Sequence, residues 1–252
     1  MKLQYASDLH LEFPENKEFL KRNPLLPGSD VLLLAGDIVP FAVMDKHADF
    51  FSYLSDNFEM TYWIPGNHEY YYSDISDRAG SFIEKIRDNL FLVNNVSVIR
   101  ANVKLIFSTL WTSISPVNQF EIRKRLSDFH AIKYNGRGLT TDHYNFLHEQ
   151  CHTFLNDKIS KEGAEKKAIV THHVPTLMNY PEKYKGDSLN EAFAVEMHDE
   201  VLRSNAVFWI FGHHHCNTLD FRIGNTNLST NQLGYVRYNE HEGFSKEKSI
   251  EI

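Results

Sequence analysis

The stretch that decides the fold is VLLLAGD, at positions 31–37. Five aliphatic residues in a row predict a strand buried on both faces, which is typical of the parallel sheets of α/β proteins. Gly36 and Asp37 then end the run, so a carboxylate follows directly on a buried strand. Because open α/β sheets bind ligands at the carboxyl ends of their strands, this position is a candidate functional site.

Four further apolar stretches have the same arrangement, at 3–6, 60–64, 168–171 and 207–211. The polar residues that follow them are Asp8 and His10, Asn67 and His68, His172 and His173, and His213 and His215. Helix-like segments are predicted over 45–57, 140–159 and 191–203, and the alternation of strands and helices indicates a layered α/β fold. If the five strands share a sheet, all five polar clusters meet at one edge.

The chain is predicted to be one domain, residues 1–252. Its 252 residues, of which 42% are hydrophobic, suffice for a core without disulfides. The segment 112–137 is polar and lacks strand signal, so it is predicted to form a lid insertion. No stretch has the ~18 consecutive apolar residues of a membrane span, and the first residues lack the apolar region of a signal peptide.

The net charge and the cysteine content limit which binding partners and which cellular compartment the sequence predicts. A formal charge of −7 disfavours a non-specific nucleic-acid binder, which is normally basic. Cys151 and Cys216 are too few for a disulfide framework. We therefore predict a cytoplasmic protein that acts on small molecules rather than on membranes.

The five clusters combine oxygen and nitrogen donors. Asp8, Asp37 and Asn67 together with several imidazoles form a mixed set that suits Fe, Mn, Zn or Co. This set exceeds the needs of one ion, and two ions that share a bridging carboxylate fit it better. Each cluster alone also fits a turn, a helix cap or a buried histidine pair. Their conjunction at five strand ends favours a metal site.

Five blocks of the chain resemble, in order, the signature blocks of the calcineurin-like metallophosphoesterases, with uncharacterised bacterial or phage-type predicted phosphohydrolases among the similar members. The blocks are Asp8-x-His10, Gly36-Asp37, Gly66-Asn67-His68-Glu69, His172 and Gly212-His213-x-His215. The resemblance runs from residue 3 to about residue 215. It implies a β-sandwich flanked by helices, with the active site at the carboxyl ends of the strands.

The resemblance also implies a role for each residue. Asp8, His10 and His215 would bind one ion, Asn67, His172 and His213 a second, and Asp37 would bridge the two. The ions would be divalent or trivalent Mn, Fe or Zn. A metal-bridging hydroxide would attack a phosphate monoester or diester, with His68 as general acid or transition-state stabiliser.

Several positions leave alternatives open. His173 competes with His172 as the ligand, and His214 is predicted either to support the ligands or to be exposed. Positions 38–41 replace the Asp-Arg-Gly continuation of the protein Ser/Thr phosphatases, which disfavours that activity. Candidate substrate contacts in the predicted lid are Arg123, Arg125, Asp128 and His130. Tyrosines 70–72 are candidates for lining a pocket.

Two other functions are compatible with this resemblance. One is a non-catalytic metal-binding scaffold on the same fold, which is disfavoured because every expected ligand position and the His68 position are filled. The other is a nuclease, which the acidic charge disfavours.

Overall fold

The strands form two six-stranded sheets and one two-stranded sheet in this computed structural model, which describes residues 1–161, 163 and 165–252. The five predicted strands are divided between the two large sheets, an arrangement that the strand pattern alone left open, and the α/β sandwich flanked by helices that the family resemblance implied is confirmed. The strands are β1 (Lys2–Ala6), β2 (Val31–Ala35), β3 (Thr61–Ile64), β4 (Phe82–Arg87), β5 (Leu90–Asn94), β6 (Val96–Arg100), β7 (Val103–Ser108), β8 (Lys133–Tyr134), β9 (Arg137–Gly138), β10 (Lys166–Thr171), β11 (Phe208–Ile210), β12 (Phe221–Ile223), β13 (Thr226–Ser229) and β14 (Ser249–Glu251). The helices are α1 (Pro14–Arg22), α2 (Ala48–Asn57), α3 (Gln119–Arg125), α4 (Asp128–Ala131), α5 (Thr141–Ser160) and α6 (His198–Ser204).

The two large sheets are built alike. The strand order is β14-β1-β2-β3-β5-β4 in the first sheet and β12-β13-β11-β10-β7-β6 in the second. In each sheet the four central strands are parallel, and the strand at each edge is antiparallel to its neighbour. The parallel strands of a sheet therefore deliver their carboxyl ends to the same edge.

Strand β2 shows why its sequence is aliphatic throughout. Val31, Leu33 and Ala35 face the second sheet and form part of the core between the sheets. Leu32 and Leu34 face outward and pack with residues of α1 and α2. Because both faces are covered, a continuous aliphatic run is required in place of alternation.

Some predicted elements differ from the structure. The helix expected over 191–203 is shorter, because a 3-10 turn at Ser188–Ala192 precedes α6, which begins at His198. The segment 112–137 carries α3 and α4, whose Ile122 and Phe129 join a separate core with Trp111 and Tyr144. None of the described helices combines the length and apolarity needed to cross a membrane.

Candidate metal centre

The carboxyl ends of five strands converge where the two sheets meet. Asp8, His10, Asp37 and His215 form one group of potential ligands, and their ligand atoms lie within 4.8 Å of one another. Asp37, His172 and His213 form a second group by the same measure. The side chains implied by the family resemblance are thus brought together, and Asp37 belongs to both groups.

Asn67 completes the second group. Its Oδ1 lies 3.2 Å from His172 Nε2, and its Nδ2 donates to Asp128 Oδ1 at 2.8 Å. Asp128 is fully buried and also accepts a hydrogen bond from Tyr71. The expectation that Asp128 contacts substrate is therefore wrong, because this carboxylate holds the Asn67 amide so that its oxygen points at the cluster.

The backbone at the cluster is in the left-handed region at five of the seven ligand positions. The positive φ angles are 56° at Asp8, 46° at His10, 55° at Asp37, 80° at His213 and 48° at His215. This conformation is unfavourable for residues with a Cβ and is concentrated at functional sites. Each reversal turns a side chain back from its strand end toward the common centre.

Two glycines leave room for the ligands. A Cβ at Gly36, where φ is +90°, would lie 2.3 Å from His172 Nδ1. A Cβ at Gly66 would lie 2.2 Å from Asp37 Oδ1 and 2.6 Å from His172 Nε2. Any side chain at these positions would therefore fill the space in which the donor atoms meet.

Three of the histidines are oriented by a bond to the ring nitrogen that faces away from the cluster. Nδ1 pairs with Glu12 Oε1 at 3.1 Å in His10, with the Ala35 carbonyl at 2.9 Å in His172, and with Glu240 Oε2 at 2.8 Å in His215. In each ring Nε2 is then left for the cluster. This is the usual arrangement of histidines that bind metals.

The inner nitrogens face one another and the carboxylates. His10 Nε2 lies 2.9 Å from His215 Nε2, and His172 Nε2 lies 3.1 Å from His213 Nδ1 and 3.3 Å from Asp37 Oδ2. Four imidazoles, two carboxylates and one amide oxygen converge in this way. The donor set fits two transition-metal ions such as Mn, Fe or Zn.

The electrostatics of the cluster keep Asp37 ionised and His213 neutral. Burial alone would raise the pKa of Asp37, but His172 and His68 lower it well below its usual value. Burial and the neighbouring His173 and His172 hold the pKa of His213 well below its usual value, which keeps the ring neutral as a ligand must be.

His68 lies outside the two groups that share Asp37, although its ring nitrogen forms a third set of close donor atoms with His10 and Glu12. Its backbone N–H donates to Asp37 Oδ1 at 2.9 Å, and its ring stacks on Tyr71 with the centroids 4.0 Å apart. His68 Nδ1 lies 3.2 Å from Glu12 Oε1, the same oxygen that pairs with His10. Burial would lower the pKa of His68, but the carboxylates of Asp37 and Glu12 raise it above its usual value.

Glu69 fixes the two turns that carry Asp37 and Asn67. Its carboxyl oxygens accept hydrogen bonds from the backbone N–H groups of Asp37 at 2.8 Å, Ile38 at 2.7 Å and Gly66 at 2.7 Å. Trp63 Nε1 donates a fourth at 3.0 Å. Burial, reinforced by the charge of Asp37, raises the pKa of Glu69 to about 8.

The supporting acids were not predicted from the sequence. Glu69 had a usable signal, because it adjoins His68 in the third block, and Glu12 repeats the two-residue spacing of Asp8 and His10. Glu240 lies 25 residues beyond His215, where only the fold brings the two together.

The two uncertain histidines are resolved by their surroundings. His173 is turned away from the cluster, with Nδ1 3.1 Å from the Thr109 carbonyl, whereas His172 points into it. His214 is 3% exposed, and its Nδ1 accepts a hydrogen bond from Gln232 Nε2 at 3.0 Å. The exposed alternative for His214 is therefore wrong.

A cavity of about 340 Å³ opens above the cluster and reaches Asp37, His68 and His213. Arg125 lines it, whereas Arg123 and His130 are exposed and lie outside the described lining. Of the three consecutive tyrosines only Tyr71 lines the cavity; Tyr70 is buried in the core below, and Tyr72 is 78% exposed.

Comparison with known proteins agrees with this geometry. Residues 1–217 match the family model described as calcineurin-like phosphoesterase. The chain is 30% identical over 280 residues to "Uncharacterized protein L509" of Acanthamoeba polyphaga mimivirus, a match that covers 99% of this chain and 96% of that protein. Among solved structures, the phosphopantetheinyl hydrolase of Mycobacterium tuberculosis superposes with a TM-score of 0.68 over 99% of this chain and 95% of that one. At 15% identity this likeness shows a shared fold.

Proposed function

The chain belongs to the calcineurin-like phosphoesterase family, and we propose that it hydrolyses a phosphate monoester or diester of a small molecule by means of two transition-metal ions. The observation that carries this proposal is the membership of Asp37 in both ligand groups. One carboxylate shared between two groups is the arrangement that a pair of ions needs. The cavity of about 340 Å³ is within the size range of small-molecule sites.

Each ion would have its own set of side chains. Asp8, His10 and His215 would bind the first ion and Asn67, His172 and His213 the second, with Asp37 between them. Ions bound there would lower the pKa of a water to supply the nucleophile and would neutralise the phosphate oxygens. The ions would be Mn, Fe or Zn, which suit the mixed nitrogen and oxygen donors.

His68 would donate the proton to the leaving alcohol. Its ring is held by the Tyr71 stack, by Glu12 at Nδ1 and by the bond from its own backbone N–H to Asp37. With Nδ1 engaged, Nε2 is the nitrogen left for the leaving-group oxygen. Since His68 lines the cavity, a phosphate placed on the cluster would lie within its reach.

The test is turnover of p-nitrophenyl phosphate and bis(p-nitrophenyl) phosphate by metal-stripped protein, before and after Mn²⁺ is resupplied. We expect hydrolysis only with the metal, and the ratio of monoester to diester rates assigns the substrate class. Metal content is measured on the same samples. Two bound ions without turnover of either ester would contradict the proposed activity and favour the metal-binding scaffold, and failure to bind metal would contradict both alternatives. The cytoplasmic location stays a prediction from the sequence.

A further inference from the structure

The wall of the cavity above the cluster is rich in aromatic rings. It is built from Tyr71, from the predicted lid, from the loop 180–193 and from the segment 235–240. The rings that line it are Tyr71, Tyr180, Tyr184, Phe193 and Tyr235. Aromatic faces bind apolar or ring-bearing groups well and do not attract a phosphate. The wall therefore suits an uncharged portion of a substrate.

The positive charge on this wall is already paired. Of the described residues that line the cavity, Arg125 is the only lysine or arginine. Its two terminal nitrogens each donate to one carboxylate oxygen of Asp187 at 3.2 Å. Glu121 Oε1 lies 3.9 Å from one terminal nitrogen of Arg125, so the guanidinium is flanked by two carboxylates.

The other charged groups at the wall do not offer a second phosphate a cation within the described lining. Glu240 lines the cavity. Its carboxylate accepts a hydrogen bond from the Tyr235 backbone N–H and pairs with the ring of His215. Lys183 lies outside the lining, with its ammonium 4.6 Å from the centroid of the Tyr184 ring. A second phosphate in the cavity would thus meet Asp187 and Glu240 and would have to displace Asp187 from Arg125.

We propose, on the basis of the proposed function, that Asp187 sets the substrate class by holding Arg125 in a bidentate ion pair at the cavity wall. The substrate is then an ester with a single phosphate group, seated on the metal cluster, whose alcohol portion is uncharged and apolar or ring-bearing. Molecules with a second phosphate are selected against, because an unpaired like charge near the wall is unfavourable and the one arginine of the described lining is already paired with Asp187.

Asp187→Asn tests this proposal with little risk to the fold. Asp187 Oδ1 also accepts a hydrogen bond from the Leu189 backbone N–H at 3.0 Å, and the amide oxygen of asparagine can keep that bond. The substitution removes the carboxylate charge and so frees Arg125. The matched control is Glu121→Gln, which makes the same charge change beside Arg125 without touching the bidentate pair.

The substrate pair is the p-nitrophenyl ester of thymidine 5′-phosphate, with and without a second phosphate on the 3′ oxygen. Both release the same leaving group, so the ratio of their kcat/KM values reports the second phosphate alone. We expect the unmodified protein to prefer the substrate with one phosphate. In Asp187→Asn the preference falls about fivefold, mainly through KM, since an exposed ion pair contributes modestly.

The double variant Asp187→Asn with Arg125→Gln should restore the original preference, because the freed guanidinium is then gone. An unchanged ratio in Asp187→Asn would overturn the proposal, as would an equal change in Glu121→Gln. A wild-type preference for the substrate with two phosphates would overturn it as well. If the wild type with two bound metals cleaves neither of these diesters nor p-nitrophenyl phosphate, the proposed function fails and the inference fails with it. If it cleaves only the monoester, the same preference is read from inhibition of that reaction by thymidine 5′-phosphate and by thymidine 3′,5′-bisphosphate.

Discussion

The metal-ligand cluster forms the floor of the cavity, and this floor is built in the opposite way to the wall above it. On the floor, Asp8 and Asp37 are at most 1% exposed, and their neighbours are held by a second set of buried or half-buried acids, including Glu12, Glu69 and Asp128. On the wall, the side chains of Arg125 and Asp187 are each 40% exposed and belong to a helix end and a loop. A rigid floor keeps donor atoms in place for chemistry, whereas an exposed wall can vary without disturbing them.

The floor itself is a joint between the two sheets. The carboxylate and amide donors follow strands β1, β2 and β3 of the first sheet, whereas His172, His213 and His215 follow β10 and β11 of the second. Each sheet alone therefore carries an incomplete ligand set. Damage to the floor should abolish metal-dependent turnover, and damage to the wall should change only preference.

The largest effect is expected from Asp37→Asn. Loss of the shared carboxylate charge should weaken the binding of both ions. We expect turnover to fall by more than about a hundredfold, which exceeds the loss expected when a residue that only hydrogen-bonds to a ligand is changed. Steady-state kinetics and metal analysis of the purified protein measure it. Full turnover with two bound metals would show that Asp37 is not the bridge.

His68→Ala separates proton donation from metal binding. We expect about a hundredfold loss of kcat with unchanged metal content, because His68 belongs to neither of the two ligand groups that share Asp37, although its ring packs edge-on against His10 with the centroids 4.5 Å apart. The loss should be smaller for esters with better leaving groups, which need less protonation. If the variant loses metal, His68 must be reassigned as a ligand.

Gly36→Ala tests how tightly the floor is packed. The new Cβ would lie 2.3 Å from His172 Nδ1, and φ is +90°, so we expect a loss of about 2–3 kcal/mol in the free energy of unfolding. Urea denaturation measures the loss. Gly80→Ala is the matched control, because its φ is +74° with nothing within 4 Å of the added Cβ, and strain alone should cost about 1 kcal/mol. Equal losses would mean that close packing at Gly36 contributes nothing.

The smallest effect is expected on the wall side, at Asp74. Its carboxylate accepts hydrogen bonds from the backbone N–H groups of Asn135 and Gly136, in the β8–β9 turn at the end of the predicted lid. Burial raises its pKa slightly, but bonds from Ser76, Gly136 and Asn135 lower it to about 2.

Since the pKa of Asp74 is lower in the folded than in the unfolded chain, its contribution is present above about pH 4 and is lost as the pH falls through 2. Asp74→Asn should lower stability by less than about 1 kcal/mol at pH 7, because the group is largely exposed. The difference from wild type should shrink below about pH 4 in urea midpoints. Asp77→Asn is the control, and a gap that does not depend on pH would contradict this account.

The floor could largely be predicted because its signals are local. A buried strand followed by a polar cluster is visible in the sequence at Asp8, Asp37 and His172, and the family resemblance supplied their order. The division into two sheets followed from the resemblance and not from the strand pattern itself, since strand pairing depends on contacts far apart in the chain. Strand β4 was also missed, because none of its residues is fully buried and its exposed positions, Ile83 and Lys85, are one apolar and one charged, so they show no apolar-polar alternation.

The wall could not be predicted because its contacts carry no local pattern. Arg125 and Asp187 are 62 residues apart and meet only when the loop 180–193 folds over α3. Asp128 looked like a surface acid of the predicted lid, yet burial and two hydrogen bonds make it part of the support of Asn67. Charge type alone does not distinguish a contact with substrate from a contact within the protein.

The joint between the sheets also determines when the protein can acquire its ions. The backbone N–H of His213 donates to Asp8 across 205 residues, and His10 meets His215 across the same separation. No short segment of the chain holds a complete ligand set, in contrast to a zinc finger, whose ligands lie close together and drive its folding. We expect metallation to be a late event that follows docking of the two sheets, so that chelators strip the folded protein without unfolding it.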